Sequence, residues 1–300
     1  MAGDAGCRVF GDLGERETEL AGRRFSALSS ESQGTCIAVI DGHEIWRREL
    51  NADWTKVATV EMSLQSVASS NGMIFAGGMD EAAMVRVAPN GEAERLAGFD
   101  RCAGREEWFA GGPPLGVRSL AATSDGATII AAVHVGGLPY STDGGQTWTP
   151  TAPVGFDVHE VRAHPTLPKI VVAASAVGLC VSNDGGRTWE VVSEGLETTY
   201  SLGAAVLPDE ALFTVSNGPF PRQSQIWRWR IGSKCVEQVR DGLPEWLDGK
   251  VDTAQMAAGD GRVALADGGG SLWVSHSGSV GWKRVARDVA YPAGIVVLPD

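Results

Sequence analysis

The sequence predicts an all-β protein in which short four-stranded sheets repeat along the chain, the architecture of a β-propeller. Two observations predict it. A polar turn that ends in tryptophan occurs as STDGGQTWTP from Ser141 and again as SNDGGRTWEV from Ser182. In addition, the same order of short apolar segments precedes both copies, so the repeating unit is much longer than the turn.

The order of segments within one unit indicates four strands. The stretches VRSLAATSDGATIIAAVHVGGLPY and VHEVRAHPTLPKIVVAASAVGLCV precede the two turns. Each contains an apolar strand, a turn with Pro or Asp-Gly, a more apolar strand, a glycine turn and a third strand. A fourth strand then opens with Trp148 or Trp189. Four short strands in about 40 residues match one propeller blade.

Weaker copies extend this pattern along most of the chain. The six units cover residues 25–61, 62–98, 117–153, 158–196, 201–243 and 251–289. The last ten residues, YPAGIVVLPD, resemble YSLGAAVLPD at the start of the fifth unit. We therefore expect 291–300 to join 1–24 in a closing seventh blade, which leaves no open sheet edge. Six blades with one extra strand is the alternative, and in either case 1–300 is expected to be a single propeller domain.

The repeated turn is explained by its local geometry. Asp143 and Asp184 can accept hydrogen bonds from nearby backbone N–H groups, as turn aspartates do. Gly145 and Gly186 can adopt positive φ without steric cost. The turn chemistry therefore accounts for both aspartates, and we expect their role to be structural rather than catalytic.

The motif S-x-D-G-G-x-T-W resembles the Asp-box, or bacterial neuraminidase repeat. This resemblance implies a β-propeller whose Asp-boxes lie on the face opposite the usual binding face. Proteins with this repeat include sialidases, xyloglucanases, sortilin-like receptors and photosystem II assembly factors, and the last are nearest in size. A sialidase is not expected, because the chain lacks an R-I-P motif and has only three tyrosines. The repeat by itself does not transfer a function.

The charge balance disfavours several partners. Lys and Arg total 25 against 37 Asp and Glu, a net charge of -12. Nucleic acids and anionic membranes favour a positive protein surface, so neither is expected as a partner. No apolar run reaches the roughly 18 residues of a membrane helix, and the first residues do not form a secretory signal. The sequence thus predicts a soluble, cytoplasmic protein.

The cysteines do not indicate a disulfide framework or a metal centre. The five are widely spaced and form no C-x-x-C motif: Cys7, Cys36, Cys102, Cys180 and Cys235. An odd number at such spacing is poor evidence for paired disulfides or zinc ligands. We predict no metal site and no cofactor.

Two long loops are candidates for a binding site. In a propeller, the loops between blades and those between second and third strands share one face around the channel. The segment 98–116 contains Arg105 and Trp108, and the segment 217–225 contains Arg222. Long irregular loops are more often functional than short ones. Trp108 is expected to supply apolar contact to a ligand, and Arg105 and Arg222 to contact polar or anionic groups.

Ionisable residues at the ends of predicted inner strands are further candidates on the same face. A histidine beside carboxylates can act as a general base near neutral pH. The candidate catalytic residues are His134, His159 and Glu160. The remaining candidates for ligand binding are Asp80, Arg118 and Asp252.

Two functions remain open at this stage. In the first, the chain binds a small-molecule ligand or a protein partner on the loop face around its channel. In the alternative, it is an enzyme, a hydrolase, lyase or isomerase, that acts on a small polar or glycosidic substrate at the channel mouth. No motif fixes a reaction, and the oligomeric state is left open.

Overall fold

Seven antiparallel β-sheets make up the fold. A computed structural model describes residues 1–11, 14–31, 34–109, 115–218, 223–276 and 278–299. We number the sheets as blades 1 to 7, in which blade 7 contains both chain ends. The prediction of seven blades is confirmed, and the alternative of six is wrong.

The strands follow one another regularly within each blade. Blade 7 holds β1 (Ala2–Gly3), β2 (Gly6–Gly11) and β3 (Gly14–Glu19). Blade 1 holds β4 (Phe25–Ser30), β5 (Cys36–Ile40), β6 (Glu44–Arg48) and β7 (Thr55–Thr59). Blade 2 holds β8 (Leu64–Ser70), β9 (Met73–Gly78), β10 (Met84–Val87) and β11 (Ala93–Arg95). Blade 3 holds β12 (Val117–Ala122), β13 (Ile129–Val133) and β14 (Tyr140–Ser141).

Blades 4 to 6 continue this order. Blade 4 holds β15 (Val158–Ala163), β16 (Val171–Ser175), β17 (Gly178–Ser182) and β18 (Glu190–Val192). Blade 5 holds β19 (Ala204–Val206), β20 (Glu210–Ser216), β21 (Gln223–Arg230), β22 (Val236–Gln238) and β23 (Leu247–Asp248). Blade 6 holds β24 (Met256–Gly259), β25 (Arg262–Ala266), β26 (Leu272–Ser275) and β27 (Lys283–Ala286). The helical segments are α1 (Ala97–Asp100) and two 3₁₀ turns, Arg105–Glu107 and Val154–Phe156.

Neighbouring blades pack face to face and form the core between them. One cluster joins Ile37 and Ile45 of blade 1 to Val67 and Ile74 of blade 2. The second strands β5, β13 and β16 are buried along their whole length. Strands covered on both faces require continuous apolar runs, which explains why these segments were the clearest in the sequence.

The repeated polar turns have nearly identical hydrogen bonds. Asp184 Oδ1 accepts from the backbone N–H of Thr188 at 2.9 Å, and Asp184 Oδ2 accepts from the Thr188 hydroxyl at 2.7 Å. Asp143 accepts the equivalent bonds from Thr147 at 2.9 and 2.6 Å. Burial acts to raise the pKa of each aspartate, but these bonds outweigh it and the pKa lies below its usual value. The conformation of each turn is thus stabilised by hydrogen bonds between residues of the turn itself.

Each turn also packs against the preceding blade. The Trp148 ring meets Phe99 edge-on, with centroids 5.0 Å apart. A Cβ on Gly145 would approach Leu96 to 2.8 Å, and one on Gly186 would approach Ile130 equally closely. Both glycines have φ of 90°. Glycine is therefore required at this position for two reasons, the backbone conformation and the close approach of the preceding blade.

The ring is closed by the two chain ends. Ala2 donates its N–H to the carbonyl of Gly294 at 2.9 Å and accepts from Ala293 at 2.8 Å. Gly294 lies directly against Leu28 of blade 1. The C-terminal segment pairs with β1 through this one bridge rather than through a long regular strand. Closure by both termini is confirmed, with less regular pairing than the sequence predicted.

A bulge recurs at the same point of the first strand in four successive blades. The register shifts lie between Phe25 and Ala27, Leu64 and Ser66, Val117 and Ser119, and Val158 and Glu160. The residues inside these bulges are Ser26, Gln65, Arg118 and His159. A β-bulge redirects a side chain and is frequent beside functional sites. The fold therefore presents Arg118 and His159 at equivalent places on adjacent blades.

Candidate functional site

His159 is held in one orientation by its neighbours on blade 5. Its Nδ1 lies 2.7 Å from the carbonyl oxygen of Ser201, which can only accept, so the proton is on Nδ1. The free Nε2 then accepts from the hydroxyl of Tyr200 at 3.2 Å. The imidazole is fully buried. This network fixes both the tautomer and the direction in which His159 faces.

Asp157 lies between two imidazoles without a direct hydrogen bond to either. Its Oδ2 is 3.6 Å from His159 Nε2, and its Oδ1 is 3.8 Å from His134 Nε2. Both separations exceed normal hydrogen-bond lengths. The nearby His159 holds the pKa of Asp157 below its usual value although burial opposes this. Burial, reinforced by the charge of Arg118, lowers the pKa of His134. At neutral pH the site therefore contains a carboxylate facing a neutral His134.

Two buried polar atoms of this cluster have no hydrogen-bond partner among the described residues, His134 Nδ1 and Asp157 Oδ1. Leaving a buried donor or acceptor unpaired costs about 1–3 kcal/mol. Such atoms are rare in folded proteins, and each requires an explanation. A bound molecule that hydrogen-bonds to both atoms would be such an explanation.

A second set of charged groups lies beside the first. Arg118 Nη2 donates to Asp252 Oδ1 at 3.0 Å and to the Thr253 hydroxyl at 3.1 Å. Lys250 Nζ donates to Asp252 Oδ2 at 2.7 Å, and the Tyr291 hydroxyl lies 3.3 Å from the same oxygen. Burial acts to raise the pKa of Asp252, but the two cations outweigh it and the pKa lies below its usual value.

The backbone around these groups is strained. Val135, Asp157 and Ala254 have φ of 50°, 47° and 61°. Positive φ is unusual outside glycine and is a genuine outlier for a β-branched residue such as Val135. These residues adjoin or belong to the site: Val135 follows His134, and Ala254 follows Thr253. Strain of this kind concentrates at functional sites.

The predicted residues divide into those that meet at this site and those that do not. His134, His159, Arg118 and Asp252 lie in it, as described above. Asp80 is exposed and has no hydrogen bond or ion pair with any described residue. Arg222 lies outside the described residues.

Glu160 is in the channel wall, where both of its carboxylate oxygens accept hydrogen bonds from other residues of the chain. Its Oε2 accepts from the N–H of Ala204 at 2.7 Å, and its Oε1 accepts from the N–H of Ala254 at 2.9 Å and from Arg162 at 2.5 Å. The side chain is completely buried, and this burial raises its pKa. We find no oxygen left to act on a substrate, so we omit Glu160 from the site.

The segment 98–116 was expected to contact a ligand, but its described part packs on blade 3. Trp108 is only 7% exposed and lies against Phe99, with ring centroids 5.6 Å apart. The Arg105 guanidinium covers the Trp108 ring at 4.9 Å. These contacts extend the core between blades 2 and 3, and we omit both residues from the site.

Sequence reasoning missed Asp157, Tyr200, Lys250 and Tyr291 as site residues. Tyr200 and Tyr291 begin the two similar segments YSLGAAVLPD and YPAGIVVLPD, and repetition at equivalent positions favours a structural role. That same equivalence was the available signal, since it places both hydroxyls where inner strands begin. Asp157 directly precedes β15, and its position beside predicted site residues was the only indication in the sequence.

The channel is nearly closed beside this site. A small cavity of about 30 Å³ there is lined by Arg118, Glu160 and Thr253. A cavity of about 760 Å³ opens at the opposite end, where the first strands finish, and is lined by Leu120, Ala122 and Ser124 among others. We place the candidate site at the narrow end, because the unpartnered atoms of His134 and Asp157 and the positive-φ residues Val135, Asp157 and Ala254 gather there. The larger cavity is lined mainly by small side chains, although Nε of Arg47 in its lining also lacks a partner among the described residues.

The described part of the chain contains no group of three or more His, Cys, Asp or Glu residues suited to hold a metal ion. None of its helices is long and apolar enough to cross a membrane. The five cysteines are free, and burial raises the pKa of Cys36, Cys102 and Cys180 to about 11. A thiol with so high a pKa is a poor nucleophile at neutral pH.

Comparison with known proteins identifies the fold and nothing finer. No family model and no curated protein matches the chain. Among solved structures, an ancestral GH74 enzyme is similar with a TM-score of 0.65 at 14% identity, over 83% of this chain and 36% of that one. The GH74 xyloglucanase from Xanthomonas campestris gives 0.58 at 17% identity, over 89% of this chain and 38% of that one.

A third GH74 enzyme, from Niastella koreensis, gives a TM-score of 0.61 at 15% identity, over 91% of this chain and 38% of that one. The fold is a seven-bladed β-propeller. This propeller spans little more than a third of the length of the GH74 enzymes that it resembles. At such low identity the likeness concerns architecture alone.

Proposed function

We propose that this propeller binds a small polar ligand at the end of its channel where His134, Asp157 and His159 meet. One observation carries the proposal: two buried polar atoms, His134 Nδ1 and Asp157 Oδ1, lack a partner among the described residues, whereas both ring nitrogens of the adjacent His159 are hydrogen-bonded. A ligand that pairs with both would offset the cost of burying them. Tyr291, 48% accessible, lies beside Asp252, to which its hydroxyl donates at 3.3 Å, and offers apolar contact area.

A thermal-shift screen tests this proposal. The panel contains neutral sugars, sugar acids, amino acids and xyloglucan oligosaccharides, the last because one of the similar structures is named a xyloglucanase. A compound that binds only the folded state raises the melting temperature in proportion to its concentration over Kd. We expect at least one compound to stabilise the wild type and to have no effect on the double variant His134→Ala, Asp157→Asn.

The control for this screen is Glu190→Ala, a change at an exposed position of β18. It is expected to respond to the same compounds as the wild type. The proposal is wrong if no compound in the panel stabilises the wild type, or if the double variant responds equally.

An enzyme is the second candidate, favoured by the contact between Tyr200 and His159. A phenol that donates to an imidazole with fixed tautomer is an arrangement for proton transfer. Burial, reinforced by the charge of Asp157, raises the pKa of Tyr200, so the phenol keeps its proton at neutral pH and donates it in the hydrogen bond to His159. Product formation from a compound that binds, abolished in Tyr200→Phe while binding persists, would establish this function. The cytoplasmic location stays a prediction.

We also propose that the two polar turns are Asp-boxes with a structural role only. The support is their hydrogen bonding, in which the Asp184 carboxylate is occupied by its own turn. The test is the pair of aspartate variants described in the Discussion.

A further inference from the structure

We propose that the ligand of this site is a hydroxy acid, a small molecule that carries a carboxylate and a nearby hydroxyl group. A sugar acid is one example. This inference rests on the proposed function, since it names the class of ligand for the same site. It follows from the separation of the site into a positive half and a negative half.

The positive half is formed by Arg118, Lys250 and Asp252. Two cations share one carboxylate there, so one positive charge is left uncompensated within the group. Arg118 uses only Nη2 for its contacts to Asp252 and Thr253. Its Nε and Nη1 groups make no hydrogen bond to a described residue, and the side chain is 22% exposed. The N–H groups that remain on Nε and Nη1 can each donate a charge-assisted hydrogen bond to a ligand carboxylate.

The negative half is formed by Asp157 and the imidazoles that face it. The 3.8 Å between Asp157 Oδ1 and His134 Nε2 is too long for a direct bond. An oxygen atom placed between them lies within about 2.8 Å of each, a normal hydrogen-bond length. A hydroxyl group there can donate to the carboxylate and accept from His134 in the tautomer that carries its proton on Nε2. The unpartnered Nδ1 is then an acceptor for a second donor of the ligand. In this tautomer an ammonium group, which has no lone pair, could satisfy only the carboxylate between the two residues.

The two halves are close enough to act on one small molecule. The Thr253 hydroxyl, which accepts from Arg118 at 3.1 Å, donates to the carbonyl of His159 at 3.2 Å, so the two halves adjoin. A neutral sugar would leave the guanidinium edge without a carboxylate, and a simple carboxylate would leave Asp157 without a donor. Only a ligand with both groups uses both halves.

The experiment compares matched probes by isothermal titration calorimetry. D-Galacturonate and D-galactose differ in whether the sixth carbon is a carboxylate, and L-lactate and propionate differ in one hydroxyl group. We expect the wild type to bind galacturonate at least tenfold more tightly than galactose, and lactate more tightly than propionate. A charge-assisted hydrogen bond to a ligand supports a difference of about tenfold or more.

Two variants assign the effect to the proposed groups. In Arg118→Gln the preference for galacturonate over galactose should disappear. This variant is expected to fold, because Lys250 still pairs with Asp252 at 2.7 Å, and its melting temperature checks that. In Asp157→Asn the preference for lactate over propionate should weaken. The control is Ala122→Phe, which obstructs the large cavity at the other end of the channel and should leave all four affinities unchanged.

The outcomes separate this inference from the proposed function. Equal binding of galacturonate and galactose, a preference that survives Arg118→Gln, or a preference lost in Ala122→Phe overturns the hydroxy-acid inference. Failure of galacturonate and lactate to bind also overturns it. If neutral sugars or amino acids nevertheless stabilise the wild type through His134 and Asp157, the proposed function stands with a different ligand.

Discussion

Glu160 occupies in blade 4 the position that Ser119 occupies in blade 3. Both follow the bulge of a first strand, and both bond to the first strand of the next blade. The Ser119 hydroxyl bonds to the backbone of Val161 at 3.2 Å, and Glu160 bonds to the N–H of Ala204 at 2.7 Å. The longer side chain of Glu160 also reaches Ala254 in blade 6. One carboxylate thus links three blades across the channel.

This relationship predicts a graded loss of stability. Glu160→Gln removes the charge that faces Arg162 and two amide N–H groups, and breaking such a buried pair costs about 3–5 kcal/mol. Ser119→Ala removes a single neutral hydroxyl and should cost about 1 kcal/mol. Urea unfolding monitored by tryptophan fluorescence measures both. Equal losses in the two variants would contradict the role given to Glu160.

Substitutions in the polar turns are expected to lower the stability of the protein and to leave its ligand binding unchanged. Asp184→Ala and Asp143→Ala each remove the bonds that lock a turn, and we expect each to lower the free energy of unfolding by about 1–2 kcal/mol. The lengths of these bonds are almost the same in the two turns, so similar losses are expected. Affinity for any ligand of the channel site should not change. A folded Asp184→Ala protein that has lost binding would show that the turn belongs to the site.

Ring closure predicts that Gly294→Ala is destabilising. A Cβ at this residue would lie 2.8 Å from the Cβ of Leu28 and 3.0 Å from its backbone nitrogen, so blade 7 and blade 1 would have to separate. Gly155→Ala is the control, because nothing lies within 4 Å of the added atom there. We expect the melting temperature to fall in the first variant and to stay within a degree or so in the second. Unchanged melting of Gly294→Ala would contradict the packing at the junction.

The pKa of His134 predicts a pH dependence of stability. Burial and Arg118 lower this pKa, His159 lowers it further, and Asp157 opposes them. When the pH falls below about 6.5, the unfolded chain takes up the proton before the folded chain does. The contribution of His134 therefore destabilises the folded protein as the solution becomes acidic. We will compare the unfolding free energies of the wild type and His134→Gln from neutral pH to pH 5. We expect the two values to converge as the pH falls, or to cross so that the variant becomes the more stable protein.

The control for this pH series is His43→Gln, a change at an exposed turn residue. Its stability should follow the wild-type curve. A His134→Gln curve that runs parallel to the wild type at every pH would show that the protonation of His134 is not linked to unfolding.

The fold could be predicted because its signals are local. Turn aspartates and glycines act within five or six residues, and the apolar second strands are continuous runs, so short stretches such as SNDGGRTW carry the information. Closure was also predictable, since YPAGIVVLPD repeats a segment from another blade. The propeller then places the start of every first strand at the same end of the channel. That reasoning predicted His134, His159, Arg118 and Asp252 as candidates, and the structure places them at one end of the channel, where their role as site residues stays a prediction.

The sequence by itself therefore determined the repeat and favoured seven blades over six, and it indicated the end of the channel where ionisable residues gather. Only the tertiary structure decided which of them meet, because the partners are distant along the chain. Arg118 and Asp252 are separated by 134 positions and Tyr200 and His159 by 41. Tertiary packing also decided which polar side chains were already occupied. Trp108 is buried beside Phe99, and Glu160 is bound by three donors, since filling the core and pairing buried charges depend on neighbours from other blades.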